Sequence, residues 1–162
     1  MPIGKTTAAL GQGFRATGHG FKVYMIQFMR GYPQYGEVKA IEKTPNFELK
    51  QFGTPDLITT PREIDYEEGR KGMEFAEKVI MSDEYDIVIL DEIGVAVEYG
   101  IVNIDDVLKL IDNKPEKVEL IITGGPKMHP KIKERADLLT EMRMIKHYYS
   151  SKSIKARFGI EH

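Results

Sequence analysis

The spacing of apolar residues changes along the chain, and the change predicts alternating helices and strands. Near-continuous apolar runs, rich in β-branched and aromatic residues, occupy Val23–Phe28 and residues 87–90. Such runs are typical of strands buried in a parallel sheet. Residues 6–17 and 65–81 instead repeat apolar side chains every three or four positions, which predicts amphipathic helices. Together these segments predict an α/β fold with a mainly parallel sheet.

Shorter segments extend this pattern. Further strands are predicted at Phe47–Phe52, residues 120–123 and residues 136–141. Residues 104–111 predict a short helix that Asn103 caps at its N-terminus. The Gly, Pro and Tyr residues between positions 31 and 36 predict a loop after the first strand.

Composition narrows the class of protein. A chain of 162 residues that is 41% hydrophobic and 30% charged predicts one globular domain over residues 1–162. A net charge of -2 does not favour a nucleic-acid partner. The sequence contains no cysteine, which excludes disulfides and thiolate metal sites, and it shows neither a membrane-spanning run nor a signal-peptide core. We therefore expect a cytoplasmic protein.

The first candidate for chemistry is Gly4-Lys5-Thr6-Thr7, directly before the first predicted helix. Free backbone N–H groups and the positive end of the dipole at a helix N-terminus favour a bound phosphate. A lysine there can reach terminal phosphates, and a threonine hydroxyl can ligate Mg²⁺. The four residues alone are also compatible with a plain helix cap that carries a lysine.

A second candidate follows the buried run at residues 87–90, which ends in Asp91-Glu92. Carboxylates at the end of a parallel strand can supply oxygen ligands to Mg²⁺ beside a phosphate loop. Thr123 ends another predicted strand and should lie at the same edge of the sheet. The simpler alternatives are two solvated acids at a turn and a threonine that ends a strand.

The phosphate loop is shorter than the usual pattern. In G-x-x-x-x-G-K-[ST] the first glycine lies five positions before the second, which here would precede Met1, and a strand normally comes before the loop. We therefore expect an N-terminally truncated domain that lacks the first strand of its sheet.

An ordered set of blocks resembles the ATP-dependent corrinoid adenosyltransferases, which act on cob(I)yrinic acid a,c-diamide or cob(I)alamin. The resemblance runs from Gly4 to the C-terminus. It rests on GKTTAALG at 4–11, RATGHG at 15–20, QFMRG at 27–31, GE at 36–37, LDE at 90–92, TG at 123–124, ADLLTEM at 136–142 and GIE at 159–161.

This resemblance implies a P-loop NTPase-like (RecA-like) fold with helices on both faces of the sheet. It also implies transfer of the 5′-deoxyadenosyl group of ATP to the Co(I) of a corrinoid, with triphosphate as the leaving group and Mg²⁺ as the metal. Gly4, Lys5, Thr6 and Thr7 would hold the phosphates, with Lys5 and Glu92 as the catalytic pair.

Further roles follow from the same resemblance. The metal would lie near Thr6 and Glu92, with Asp91 in support, and Thr123 would border the nucleotide. Arg15 would add positive charge near the nucleotide, although a surface role is nearly as compatible with its position. Phe52 would help to cover the corrin in a chain without tryptophan, or would be a core residue. A cobalt-reducing flavoprotein and a homodimer are the expected partners.

Two other functions stay open. The chain would be another P-loop kinase or ATPase if it carried an acceptor site for a hydroxyl or a carboxylate that activates water. It would be an inactive nucleotide- or corrinoid-binding remnant if the shortened loop no longer supported turnover.

Overall fold

The computed structural model describes residues 4–148 and 157–160. Within these ranges the chain forms six helices and four strands. The helices are α1 Lys5–Thr17, α2 Gly36–Ile41, α3 Glu63–Met81, α4 Ile93–Glu98, α5 Ile104–Asn113 and α6 Pro130–Glu134. The strands are β1 Val23–Phe28, β2 Phe47–Phe52, β3 Ile87–Asp91 and β4 Glu119–Ile122.

All strand pairs in this sheet are parallel, and the strand order is β2-β1-β3-β4. Every residue of β1 and β3 is buried, as expected for the two inner strands of a parallel sheet. The register places Gln27 of β1 beside both Gln51 of β2 and Asp91 of β3. Polar residues therefore form one row across the carboxyl ends of three strands.

Helices cover both faces of the sheet. On one face, Val23 and Met25 of β1 pack in a cluster with Ala9 and Ala16 of α1. On the other face, alternate β1 residues pack in a larger cluster with α3, α4 and α5. Because successive side chains of a strand point to opposite faces, one apolar run supplies both halves of the core. The predicted α/β class is thus confirmed.

Helix–sheet packing depends on small residues where α3 crosses the sheet. A Cβ atom added to Gly72 would lie 2.7 Å from Cε1 of Phe28 and 3.2 Å from Cβ of Phe52. Both distances are shorter than ordinary van der Waals contact, so a larger residue would push α3 away from the strands. Gly72 is therefore part of the close packing of this face.

The prediction of a strand at residues 136–141 is wrong. This segment forms bends and irregular chain without strand pairing, and its leucines are exposed, Leu138 to 86% and Leu139 to 59%. A strand needs a neighbour for its backbone N–H and C=O groups, and the local pattern of apolar residues carries no information about that neighbour.

Three short helices were not predicted. Gly36, expected to end a loop, begins α2, while α4 and α6 contain only six and five residues. Helices of this length complete fewer than two turns and show no usable periodicity. No helix in the described ranges is both long and apolar enough to cross a membrane.

Candidate functional site

The N-terminus of α1 has the properties of an anion site. Gly4 caps the helix with a φ of 108°, a left-handed conformation that only glycine adopts without strain. Lys5, Thr6 and Thr7 form the first turn, where the backbone N–H groups of an α-helix point out of its N-terminal end. That turn contains no acidic residue, so no carboxylate side chain of the turn offsets the positive end of the helix dipole. The geometry agrees with phosphate binding.

Asp91 connects this turn to the sheet. Its side chain is fully buried at the end of β3. Its Oδ1 atom accepts hydrogen bonds from the hydroxyls of Thr6, at 2.9 Å, and of Thr123, at 2.7 Å. Its Oδ2 atom accepts a hydrogen bond of 3.2 Å from Nε2 of Gln27. Several donors therefore fix the orientation of one carboxylate, as expected for a buried charge.

The polar row continues across β1 and β2. Gln51 Nε2 donates to Gln27 Oε1 at 2.9 Å, and Gln27 Nε2 also faces Oε1 of Glu37 at 3.4 Å. Gln27 has no exposed surface, so its amide group depends on these protein partners. The row thus carries hydrogen bonds from β2 through β1 to the carboxylate of β3.

Glu92 follows Asp91 with a φ of 63°, in the left-handed region that non-glycine residues rarely adopt. Its backbone N–H donates to the Thr123 hydroxyl at 2.9 Å, so this hydroxyl holds both acidic residues. Burial, followed by the negative charge of Asp91, raises the pKa of the Glu92 carboxyl, and the charges of Arg30 and Lys5 oppose this shift. Glu92 is therefore a carboxylate in a site that has excess negative charge.

Comparison with known proteins identifies the family. Residues 3–162 match the family model described as ATP:corrinoid adenosyltransferase BtuR/CobO/CobP. The chain belongs to the ATP:corrinoid adenosyltransferase family.

Relatives of this adenosyltransferase agree with the assignment. The Escherichia coli K12 protein named corrinoid adenosyltransferase is 35% identical over 161 residues, which cover 98% of this chain and 80% of the relative. A Sinorhizobium protein of the same name is 34% identical, covering 98% and 75%. The Salmonella typhimurium corrinoid adenosyltransferase CobA is 31% identical, covering 98% and 80%.

Two predicted site residues lie elsewhere in the adenosyltransferase. Arg15 is exposed in the last turn of α1, ten residues beyond Lys5 (15 − 5), which is about 15 Å at the helical rise per residue. There it faces the negative end of the helix dipole, far from the phosphate turn. Phe52 is 7% exposed and packs in the core, with its ring centroid 5.5 Å from that of Phe75. The structure thus places Arg15 away from the first turn of α1 and Phe52 in the core, and the roles of these two residues toward nucleotide and corrin stay predictions.

Other residues of the site were not assigned a role from sequence. Gln27, Gln51, Arg30 and Glu37 all contribute to the network around Asp91. The sequence did contain one local signal. Gln27 and Gln51 are polar, and each is the second-to-last residue of its strand. That signal could mark a polar sheet edge, but only the register shows that both glutamines share a row with Asp91.

The donors at this edge fit a magnesium ion that also binds phosphate. Among the described residues, no group of three or more acidic or histidine side chains could hold a metal ion by itself. Mg²⁺ commonly takes only one or two carboxylates, with water and phosphate oxygens completing the octahedron. The Thr6 hydroxyl and the Glu92 carboxylate are oxygen ligands of the kind that Mg²⁺ takes. Asp91 fits a supporting position, because both of its carboxylate oxygens already accept hydrogen bonds.

A separate cavity of about 810 Å³ lies between α3 and α5 and contains none of the predicted site residues. Met73, Ile101 and Leu110 contribute apolar lining. Two cations in its lining pair with neighbouring acids, Arg70 with Glu74 at 2.6 Å and Lys109 with Asp106 at 3.7 Å. The lining of this cavity includes no residue from the first turn of α1 and neither Asp91 nor Glu92.

Proposed function

We propose that the chain transfers the 5′-deoxyadenosyl group of ATP to the Co(I) of a corrinoid at the edge formed by the α1 N-terminus, Asp91, Glu92 and Thr123. The observation that carries this proposal is the 2.9 Å hydrogen bond between Thr6 and Asp91. It connects the phosphate turn directly to the acidic end of a central strand. Both parts are needed to hold a triphosphate and its metal ion.

The reaction needs no protein nucleophile. The electron pair of Co(I) forms a bond to C5′ of ATP, and the C5′–O bond breaks with its electron pair leaving on triphosphate. Cobalt is thereby oxidised from Co(I) to Co(III), and no proton is transferred. The task of the protein is to align cobalt with C5′ and to stabilise charge on the leaving group.

Each residue of the edge has a role in this proposal. The N–H groups of the first turn of α1 and the Lys5 ammonium bind the phosphates. Thr6 and Glu92 would hold Mg²⁺, which would supply positive charge beside the triphosphate. Asp91 keeps the Thr6 hydroxyl in place, and Thr123 holds Asp91 and the backbone of Glu92.

The experiment is an anaerobic assay with ATP, Mg²⁺ and chemically reduced cobinamide or cobalamin. We expect a light-sensitive adenosylated corrinoid and one triphosphate per product. Lys5→Ala should lower the rate by about a hundredfold or more, the scale for loss of one charge-stabilising donor. Lys22→Ala is the matched control, because Lys22 precedes β1 and lies at the opposite edge of the sheet.

The products separate the alternatives. Release of phosphate or ADP without corrinoid adenosylation would indicate a P-loop ATPase or kinase. Corrinoid binding without any turnover of ATP would indicate a binding remnant. Equal rates for Lys5→Ala and the native protein would contradict the assigned site.

The partners and location are part of this proposal. Co(I) is a strong reductant, so its formation requires an electron donor, and we expect a flavoprotein in this role. We also expect a homodimer in the cytoplasm, as the resemblance to the family implies. Light scattering tests the dimer, and reduction of bound corrinoid by a flavoprotein under anaerobic conditions tests the electron donor.

A further inference from the structure

Arg30 lies at the centre of the acidic edge, and the reaction described above gives it no role. It follows β1 in the loop that leads to α2, and its side chain is 25% exposed. Nη1 lies 3.4 Å from Glu37, Nε lies 3.8 Å from Asp91, and Nη2 lies 3.6 Å from Glu92. Each nitrogen of the guanidinium group therefore faces a different carboxylate.

These distances describe shared rather than tight pairing. A strong charge-assisted hydrogen bond between nitrogen and oxygen measures about 2.7–2.9 Å, and each of the three contacts is longer. The planar guanidinium group can serve several acceptors at once, which a lysine ammonium does less well. The ring of Tyr35, 5.4 Å from the guanidinium carbon, contacts the same group as a cation–π partner.

The surroundings explain why a cation is needed here. Side-chain exposure is 0% for Asp91, 11% for Glu92 and 15% for Glu37, so water stabilises these negative charges poorly. The charged groups that act on Glu92 are Asp91, which raises its pKa, and Arg30 and Lys5, which lower it. Arg30 contacts all three carboxylates and therefore offsets part of their negative charge in the ligand-free protein.

We propose that Arg30 is a positioning residue that takes the place of a divalent cation before Mg²⁺ and nucleotide bind. A metal ion at Glu92 and a guanidinium group in contact with the same carboxylate would repel each other. Binding of the metal therefore moves Arg30 away from Glu92 and Asp91, while Glu37 and Tyr35 keep hold of it. This inference rests on the proposed function in one respect, the use of Glu92 as a metal ligand.

Mn²⁺ titration without nucleotide or corrinoid tests the competition, with the free ion measured by electron paramagnetic resonance. Arg30→Gln removes the competing charge and should bind Mn²⁺ about tenfold more tightly than the native protein. Arg30→Lys keeps the charge and should stay within about threefold of native affinity. Arg135→Gln is the control, because Arg135 pairs with Asp112 at 2.7 Å on the surface and should leave Mn²⁺ affinity unchanged.

Three results would overturn the proposal. They are equal or weaker Mn²⁺ binding by Arg30→Gln, equally tight binding by Arg30→Lys and Arg30→Gln, and no Mn²⁺ binding by either the native protein or Arg30→Gln. These outcomes are independent of adenosyl transfer, because the titration contains no substrate. A protein that failed the transfer assay could therefore still pass this test.

A measurement on the native protein covers the case in which Arg30→Gln does not fold. The Nε–Hε resonance of Arg30, assigned by its loss in Arg30→Lys, should shift when Mg²⁺ is added. The corresponding resonance of Arg135 should stay in place. The proposed movement of Arg30 would be contradicted if its resonance stayed unchanged at a Mg²⁺ concentration that shifts the backbone amide resonance of Glu92.

Discussion

Replacing Thr123 by Val tests whether one hydroxyl holds the acidic edge together. The two side chains have nearly the same shape, so the substitution removes hydrogen bonds without opening a large cavity. In the structure the hydroxyl is buried, donates to Asp91 at 2.7 Å and accepts from the Glu92 N–H at 2.9 Å. Valine can make neither contact.

The expected loss follows from these two hydrogen bonds. A buried N–H group left without a partner costs about 1–3 kcal/mol, and a hydrogen bond to a charged group contributes about 1.5–3 kcal/mol. The two contributions share one hydroxyl and are not additive, so we expect a loss of about 2–4 kcal/mol in the free energy of unfolding. Adenosyl transfer should fall as well, because Glu92 and Asp91 lose their common support.

Urea denaturation followed by circular dichroism measures the loss of stability. Thr123→Ser keeps the hydroxyl and should recover most of it. Thr44→Val is the matched control, because the Thr44 hydroxyl donates to the Ala40 carbonyl at 2.9 Å on an exposed turn. It should change stability by less than about 0.5 kcal/mol. A Thr123→Val protein as stable as the native one would refute the reasoning.

Two further predictions concern packing and charge. Gly72→Ala should destabilise the fold by about 1–3 kcal/mol by overpacking α3 against Phe28, whereas Gly11→Ala, which meets no atom within 4 Å, should be neutral or stabilising in thermal unfolding. The raised pKa of Glu92 means that the folded state binds its proton more tightly, so the stability from this group is full below about pH 4.5 and is lost as the pH rises through the folded pKa. Without metal and near pH 7, the Glu92→Gln protein should therefore unfold at a higher temperature than the native protein. This difference in unfolding temperature should shrink toward pH 4, and a difference that stayed constant with pH would contradict the reasoning.

The two inner strands, β1 and β3, could be predicted from local sequence because each is buried on both faces of the sheet. Continuous apolar runs at Val23–Phe28 and before Asp91 are required by that burial. Parallel strands end at the same edge, so Asp91-Glu92 and Thr123 were expected at one edge of the sheet, and the structure shows that their strands β3 and β4 are neighbours. The roles of these residues in catalysis stay predictions until the assays are made.

The side-chain network could not be predicted in the same way. Local sequence does not predict that Gln27 lies beside both Gln51 and Asp91, because strand order and register are set by contacts between distant segments. Phe52 shows the same limit, since its aromatic ring fits a substrate surface or a core equally well. In the structure this ring packs against Phe75 in the core.

The sequence by itself determined the α/β class, the two central strands, the glycine and lysine at the start of α1 and the acidic end of β3. Each depends on residues that are close in the chain, where burial and helix-end geometry act directly. Only the tertiary structure decided that Arg30 faces carboxylates from two different elements, that Arg15 lies at the far end of α1 and that residues 136–141 form no strand. These features depend on which distant groups become neighbours, and that is set by the packing of the whole domain.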